Sequence, residues 1–140
     1  MFYSTAFSLD VFCLIDLRTI EDIGSSLVNM LPFDSYYFVP AQGQCGGICL
    51  FWKTRSININ VVFPHHRFVH CFLIDLSTDK SWYTTFVYAY PNKSLQRGLW
   101  NEIANLKPTN NQAWNLMGDL TLLKVLVRSL VVFLPPLLIW

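Results

Sequence analysis

Two aspartates and a tyrosine stand where apolar runs of this chain end, and their residue types could do chemistry. Asp16 and Asp119 each follow such a run, and Tyr88 lies near the end of a third. In an open sheet, residues at these strand ends meet ligands. A carboxylate there either holds a hard cation such as Mg²⁺ or orients a nucleophilic water. Gly118, directly before Asp119, lets another backbone or a ligand approach closely. A simple turn aspartate is the alternative reading of Asp119.

Histidines and cysteines give no second site. His65 and His66 fall in a turn between strands, where we expect solvated side chains, and His70 lies inside an apolar strand, where we expect packing. The cysteines lack the paired spacing of a zinc site. The four cysteines are Cys13, Cys45, Cys49 and Cys71. Three of them lie in apolar runs, which predicts buried, reduced thiols in an intracellular protein.

Composition indicates one domain with ample core material. The 140 residues are 53% hydrophobic and only 14% charged, with a formal net charge of +1. That length corresponds to one domain or a piece of one. The charge neither indicates nor excludes a polyanionic partner. The first residues lack a basic segment followed by a long apolar stretch, so we predict no signal peptide.

Apolar and alternating runs predict a series of strands. The segment 10–16 has five apolar residues between two carboxylates, which is typical of a strand buried on both faces. Further strands are predicted at Tyr36–Val39, Ile48–Trp52, Ser56–Phe63, Phe68–Asp75, Trp82–Tyr90 and Trp114–Asp119. Short turns between most of them favour antiparallel pairing. We therefore predict an α+β sandwich in which helices cover mainly antiparallel strands.

Two helices complete this prediction. Thr19 is expected to cap the first, which Pro32 ends, with an inward stripe of Ile20, Ile23, Leu27 and Leu31. Ser94 is expected to cap the second, with a stripe of Leu95, Leu99, Ile103 and Leu106. We also predict that the strands ending near Asp16, Tyr88 and Asp119 lie in one sheet, so that these residues meet at a shared end.

Five segments, in order, carry a family resemblance. They read Asp-Val-Phe-Cys-Leu-Ile-Asp, Gly-Gly-Ile-Cys-Leu-Phe-Trp-Lys, Phe-Val-Tyr-Ala-Tyr-Pro-Asn, Leu-Trp-Asn-Glu-Ile and Trp-Asn-Leu-Met-Gly-Asp-Leu. In this order they resemble the endonuclease/exonuclease/phosphatase (DNase I-like) superfamily, nearest the endonuclease domain of plant LINE-type retrotransposons. The match runs over residues 10–121 and lacks both ends of the family domain. It implies a partial four-layered α/β sandwich of two facing, mainly antiparallel sheets flanked by helices.

The resemblance also implies site residues. It places Asp16 where the family has a metal-binding Glu, and Tyr88 where a tyrosine contacts the scissile phosphate region. Asp119 matches the aspartate that orients the attacking water, and Thr121 stands where the family has a phosphate-binding Asn. Mg²⁺ would be the cofactor, DNA the partner, and hydrolysis of a phosphodiester the reaction.

Departures from the family pattern predict a loss of activity. Asp16 is one methylene shorter than Glu, and Thr121 lacks the amide of Asn. The family's opening Asn ligand and its closing Asp-His pair have no counterpart here. The first hypothesis is therefore a catalytically inactive fragment of a Mg²⁺-dependent nuclease. The second is a noncatalytic binding or membrane-associated protein.

The last residues, 122–140, lie outside the resemblance and form a hydrophobic tail. The tail contains Lys124 and Arg128, and Pro135-Pro136 interrupts its final apolar stretch. A membrane-spanning helix needs about 20 apolar residues, so the tail is too short or too charged to assign as one. Two readings stay open: the tail covers apolar core, or it contacts a membrane. Because such a dense apolar segment would otherwise form a large exposed patch, we expect it to pack at least partly onto the domain.

Overall fold

The computed structural model describes residues 10–109 and 111–119, and the backbone of residues 130–133. Eight strands and two helices follow from it. The strands are β1 (Val11–Ile15), β2 (Ser35–Val39), β3 (Ile48–Trp52), β4 (Ile57–Pro64), β5 (Phe68–Asp75), β6 (Ser81–Tyr88), β7 (Trp114–Asp119) and β8 (Leu130–Phe133). The helices are α1 (Gly24–Leu27) and α2 (Lys93–Ala104).

The strands form two four-stranded sheets. The first sheet has the order β2-β3-β1-β8, and the second has the order β4-β5-β6-β7. Every neighbouring pair is antiparallel except β6 and β7, which run parallel because α2 returns the chain between them. The prediction of mainly antiparallel sheets is confirmed.

The prediction that β1, β6 and β7 share one sheet is wrong. β1 pairs with β3 on one side and β8 on the other, so both of its edges are occupied within the first sheet. β6 and β7 belong to the second sheet. β1 of the first sheet and β6 of the second are both largely buried on both faces, so their apolar runs do not distinguish the sheets.

The main core lies between the two sheets. Alternate side chains from β1, β3, β4 and β5 point into it, as the two-residue period of a strand requires. Its buried members are Val11, Cys13, Ile15, Val39, Ile48, Leu50, Trp52, Ile57, Ile59, Val69, Cys71, Leu73, Trp82 and Phe86. Both sheets therefore present apolar inner faces to each other.

The outer faces of both sheets are also covered. On the first sheet, the segment around α1 packs on a buried cluster of Phe12, Phe33, Cys49 and Phe51. On the second sheet, α2 buries Leu99 and Ile103 against Phe68, Val87 and Ala89. The layers are helix, sheet, sheet and helix. This arrangement confirms the predicted fold class, a partial four-layered α/β sandwich.

The first helix is much shorter than predicted. α1 begins at Gly24, and the Thr19 hydroxyl oxygen accepts a hydrogen bond from the Glu21 N–H in a local turn instead of capping a helix. Ile20 is 72% exposed, so it does not belong to an inward stripe. The buried Gly24 lies against the Tyr36 ring, leaving no room for a β-carbon. Leu27 and Leu31 pack inward as predicted.

The second helix has a different cap from the one predicted. Asn92, not Ser94, is the N-cap residue, and its Oδ1 accepts from the Ser94 N–H at 2.9 Å. Leu99 and Ile103 are buried as predicted, whereas Leu95 is exposed because it faces away from the second sheet. The predicted stripe therefore holds in its central part.

Three of the four cysteines are buried, as predicted. Cys13, Cys49 and Cys71 line the cores, and Cys45 is exposed. Burial raises the pKa of Cys49 to about 12, and it raises the pKa of Cys13 and Cys71 as well. All four thiols are free of disulfides. The buried ones are protonated and unreactive at neutral pH.

Part of the hydrophobic tail joins the first sheet. The backbone of β8 pairs antiparallel with β1, from Val11 opposite Phe133 to Leu14 opposite Leu130. The expectation that the tail packs partly onto the domain is confirmed for these four residues. Within the described residues, no helix has the length and apolar character to cross a membrane.

Candidate functional site

Loops from both sheets meet at one end of the sandwich, which we call the loop end. The Gly47 N–H, just before β3, donates to the carbonyl oxygen of His66, just before β5, at 3.0 Å. Gly46 lies so close to the His66 carbonyl that a β-carbon would be 2.4 Å from its oxygen. The Arg18 N–H donates to the Gly46 carbonyl at 2.8 Å. These contacts hold the exit of β1, the entrance of β3 and the entrance of β5 together.

Asp16 lies at this end in an ion pair from its own loop. The Arg18 Nε and Nη2 donate to the two Asp16 carboxylate oxygens at 2.9 and 3.3 Å. The Asp16 side chain is 11% exposed, whereas that of Arg18 is 52% exposed. Both residues have left-handed backbone conformations, with φ of 56° and 54°. Aspartate tolerates this region, but for arginine it is a strained conformation of the kind that clusters at functional sites.

Tyr88, at the end of β6, meets this pair from the other sheet. Its hydroxyl interacts with the Asp16 carboxylate and with the Arg18 guanidinium. Burial and the Asp16 charge raise the Tyr88 pKa, while Arg67 and Arg18 oppose that rise. The pKa of Arg18 is raised, chiefly by its hydrogen bond to Asp16 and to a smaller extent by the contact of Arg18 with Tyr88. The predicted meeting of Asp16 and Tyr88 is therefore found, although across two sheets.

Asp119 reaches the loop end through its backbone register. β7 pairs in parallel with β6, with Asp119 opposite Tyr88 and Gly118 opposite Val87. Gly118 has φ of 130°, and a β-carbon there would lie 2.1 Å from the Val87 carbonyl oxygen. The close backbone approach expected of this glycine is therefore confirmed. Thr121 lies outside the described residues.

A buried arginine supports Tyr88 from behind. Arg67 is only 5% exposed. Its guanidinium carbon lies 4.6 Å from the centre of the Tyr88 ring and 4.0 Å from that of Tyr90. Its Nη1 makes long contacts of 3.5 and 3.4 Å with the carbonyl oxygens of Tyr88 and Ala89. The backbone is tied as well, because the Tyr88 N–H donates to the Arg67 carbonyl at 2.7 Å.

His65 and His66 were expected to be solvated, and this expectation is wrong. Their rings stack on each other at 4.4 Å, and the His65 ring also stacks on Phe68 at 4.5 Å. The His65 Nδ1 accepts from the Arg67 N–H at 3.0 Å, and its Nε2 lies 3.6 Å from a Glu102 carboxylate oxygen. Burial lowers the pKa of both histidines. Both half-buried rings therefore belong to the structure of the loop end.

His70 packs in its strand, as expected. Its Nδ1 lies 2.8 Å from the Thr85 Oγ1, which also accepts from the Trp114 indole N–H at 2.8 Å. The His70 ring stacks on Tyr83 at 5.1 Å with an interplanar angle of 1°. Burial lowers its pKa. His70 is thus a structural residue of the second sheet, packed against Tyr83 and Thr85 of β6.

The described side chains do not fit Mg²⁺ well. A hard cation takes several free oxygen ligands, usually including one or two carboxylates. Both Asp16 oxygens already accept from Arg18. Among the side chains that the structure describes, no group of three or more His, Cys, Asp or Glu residues is placed to hold a metal. A guanidinium thus occupies the carboxylate that the family resemblance assigned to the metal.

Arg18 and Arg67 are the residues of the loop end that sequence reasoning missed. Arg18 gave a weak signal, because a cation two residues after a strand-end aspartate is within reach of it in more than one backbone conformation. Arg67 directly precedes an apolar strand and follows His65 and His66 in the same turn. Its position opposite Tyr88 follows only from the pairing of β5 with β6. Neither contact has a periodic signature in the sequence.

Comparisons with known proteins identify the fold. No family model and no curated protein matches the sequence. Among solved structures, the human Nocturnin catalytic domain, determined with a bound sulfate anion, is similar with a TM-score of 0.52 and 16% identity. The alignment covers 79% of this chain and 50% of that domain, so the chain spans half the length of its structural neighbour. The chain therefore has a partial DNase I-like α/β sandwich fold.

Proposed function

We propose that the chain is a phosphate-ester-binding, catalytically inactive relative of the DNase I-like nucleases. The observation that carries this proposal is the cluster of Asp16, Arg18 and Tyr88 at the loop end. A guanidinium and a phenol hydroxyl are good donors to phosphate oxygens. The carboxylate beside them is engaged by that guanidinium, which opposes metal-dependent hydrolysis.

The bound ligand of the structural neighbour supports an oxyanion as ligand class. The human Nocturnin catalytic domain was solved with sulfate, a tetrahedral oxyanion that resembles a phosphate group in shape and charge. In this chain, the half-exposed Arg18 side chain offers a guanidinium at the surface of the loop end. We propose DNA as the polymer that carries the phosphate, and an origin from a plant LINE-type retrotransposon endonuclease. The order of the five sequence segments supports that origin.

Arg18 and Tyr88 would each bind a different phosphate oxygen. Arg18 would donate to a phosphate oxygen while keeping its bond to Asp16, since a guanidinium carries five N–H donors. The Tyr88 hydroxyl has a single proton, so it would donate to a second oxygen by turning that proton from Asp16 to the ligand. Hydrolysis would also require a positioned general acid or base, which typically contributes about 10²–10⁴ in rate. The described histidines are stacked or packed away from Asp16, so binding without turnover is the expected behaviour.

Nicking of supercoiled plasmid DNA in Mg²⁺ tests the inactivity. We expect the wild-type chain to nick no faster than the double variant Asp16→Ala/Asp119→Ala.

Binding of a fluorescent duplex oligonucleotide in EDTA tests the ligand class. Arg18→Met is expected to weaken this binding. Arg55→Met, in the turn at the opposite end of the sandwich, is expected to leave it unchanged. Mg²⁺-dependent nicking that disappears in the double variant would restore the nuclease hypothesis. Absence of oligonucleotide binding would refute the proposed ligand.

The second hypothesis, a noncatalytic protein that contacts membranes through its tail, makes a different prediction. The full chain would then float with lipid vesicles, and a chain ending at Thr121 would not. β8 already uses the backbone of Leu130–Phe133 to pair with β1. We therefore favour phosphate binding over membrane contact.

A further inference from the structure

Arg67 combines three features that are seldom found together. It is 5% exposed, its Nε has no hydrogen-bond partner, and no carboxylate among the described side chains lies within ion-pair distance of it. A buried charge is normally paired, because its desolvation is otherwise unfavourable. Cation–π contacts with Tyr88 and Tyr90 replace only part of that stabilisation. Something else in the function of the chain should use this charge.

Tyr88 lies between the Arg67 guanidinium and the Asp16–Arg18 pair at the loop end. One side of Tyr88 faces the Arg67 guanidinium, and its hydroxyl meets Asp16 and Arg18. Asp16 is paired with Arg18, so the charges of Asp16, Arg18 and Arg67 around the hydroxyl sum to about +1, although the Asp16 charge still raises the Tyr88 pKa. A cation against the ring makes the hydroxyl a stronger hydrogen-bond donor. In a partly desolvated site this electrostatic effect is larger than in water.

We propose that the loop end binds a phosphate group without a divalent metal, and that Arg67 supplies the charge for this binding through Tyr88. This inference rests on the proposed phosphate-ester binding and names its source of positive charge. Arg67 is a positioning residue, because it is too deeply buried to contact the ligand. It orients the Tyr88 ring by stacking and by the backbone bond from the Tyr88 N–H.

Binding of inorganic phosphate and of a duplex oligonucleotide, both in EDTA, tests the proposal. Arg67→Met removes the charge but keeps most of the side-chain volume, and we expect about tenfold weaker phosphate binding, as for one unit charge several ångströms away. Arg67→Lys should restore most of the affinity, because it keeps the charge. Arg55→Met is the matched control and should bind like wild type. Thermal melting verifies that each variant is folded.

A second readout separates charge from packing. In protein labelled at the tyrosine ring carbon that bears the hydroxyl, the Tyr88 NMR signal is assigned by its loss in Tyr88→Phe. We expect phosphate to shift this signal at similar concentrations in the wild type and in Arg67→Lys, and at about tenfold higher concentrations in Arg67→Met. The slope of oligonucleotide affinity against salt should fall by up to about one in Arg67→Met. Arg67→Gln, which retains an amide donor for the carbonyls, serves if the methionine variant does not fold.

The outcomes distinguish this inference from the proposed function. Phosphate and oligonucleotide binding that is equal in wild type and Arg67→Met would overturn the role of Arg67 and leave the proposed function intact. Arg67-dependent binding of phosphate alone, without the oligonucleotide, would support Arg67 and refute DNA as partner. A wild-type chain that binds neither ligand would refute both.

Discussion

At the residue scale, the surroundings of Asp16 determine what its carboxylate can do. The same side chain would be a metal ligand if its oxygens faced open space, but here both accept from Arg18. The left-handed backbone at both residues folds the loop so that partners two positions apart face each other. Changing Asp to Ala there would leave the strained backbone and remove the ion pair. The chemistry of the loop end thus depends on a local turn more than on residue type.

The histidines give a prediction at the same scale. Burial lowers the pKa of His65, His66 and His70, so the folded chain resists their protonation. The unfolded chain takes up these protons below a pKa of about 6.5. Their contribution to stability is therefore fully present above pH 6.5 and is lost as the pH falls toward the lowered folded values. Urea unfolding between pH 7.5 and 5.5 should give a decreasing free energy of unfolding.

His70→Gln provides the control for that experiment. The variant is expected to be less stable at every pH, because it loses the stacking on Tyr83, but its free energy should depend less steeply on pH. Each proton excluded from the folded state contributes at most about 1.4 kcal/mol per pH unit. A free energy that stays constant or increases on acidification would contradict the assignment of these histidines as buried neutral groups.

At the element scale, the parallel pairing of β6 with β7 places Asp119 beside Tyr88. This pairing depends on Gly118, whose positive φ and close contact with the Val87 carbonyl exclude a side chain. The glycine therefore allows the last strand of the sheet to approach its neighbour closely. Its effect is structural, and it fixes the position of the following aspartate backbone.

Replacing Gly118 by alanine tests this role. The added β-carbon would lie 2.1 Å from the Val87 carbonyl oxygen, in a conformation that side chains rarely adopt. We expect Gly118→Ala to lower the free energy of unfolding by at least about 1–3 kcal/mol. Gly98→Ala is the matched control: Gly98 lies within α2 with nothing within 4 Å of its β-carbon position. That variant should be more stable by up to about 1 kcal/mol. Equal urea midpoints for the two variants would disprove the close approach.

The same scale separates what the sequence predicted from what it did not. β1 to β7 were predicted to within two residues, because patterns such as the alternation in β4 and the apolar run of β3 are strong and local. β8 was not predicted as a strand. The helix predicted after Thr19 was wrong in length. Its apolar spacing is helical, but Thr19 and Glu21 form a local turn and the regular helix covers only Gly24–Leu27. Sheet membership failed for β1, since periodicity carries no information about which strand pairs with which.

At the scale of the whole molecule, the loop end was predicted correctly in part. Asp16, Tyr88 and the Asp119 backbone meet there because strand ends from facing sheets converge. Arg18 and Arg67 could not be predicted, because their contacts arise from a left-handed turn and from the pairing of β5 with β6. The fold could be predicted from pattern and resemblance together. The charge contacts of Arg18 and Arg67 depend on the three-dimensional arrangement of the loops and could not be predicted in this way.

The first sheet depends on the tail for one of its four strands. β8 pairs with β1 over four positions, so it covers an edge that would otherwise present unpaired N–H and C=O groups. β1 carries Val11, Cys13 and Ile15 into the core between the sheets. Fraying at this edge would therefore weaken the central packing and the strand that ends at Asp16.

Shortening the chain tests this dependence. We expect a chain ending at Thr121 to melt at a lower temperature than the full chain and to self-associate, because the β1 edge becomes available for pairing with a second copy. A chain ending at Phe133 keeps β8 and should retain most of the stability, which makes it the matched control. Differential scanning calorimetry and light scattering at several protein concentrations would measure both effects. If the chain ending at Thr121 is equally stable and more soluble, β8 contributes nothing to the sheet, and the tail has a separate role such as membrane contact.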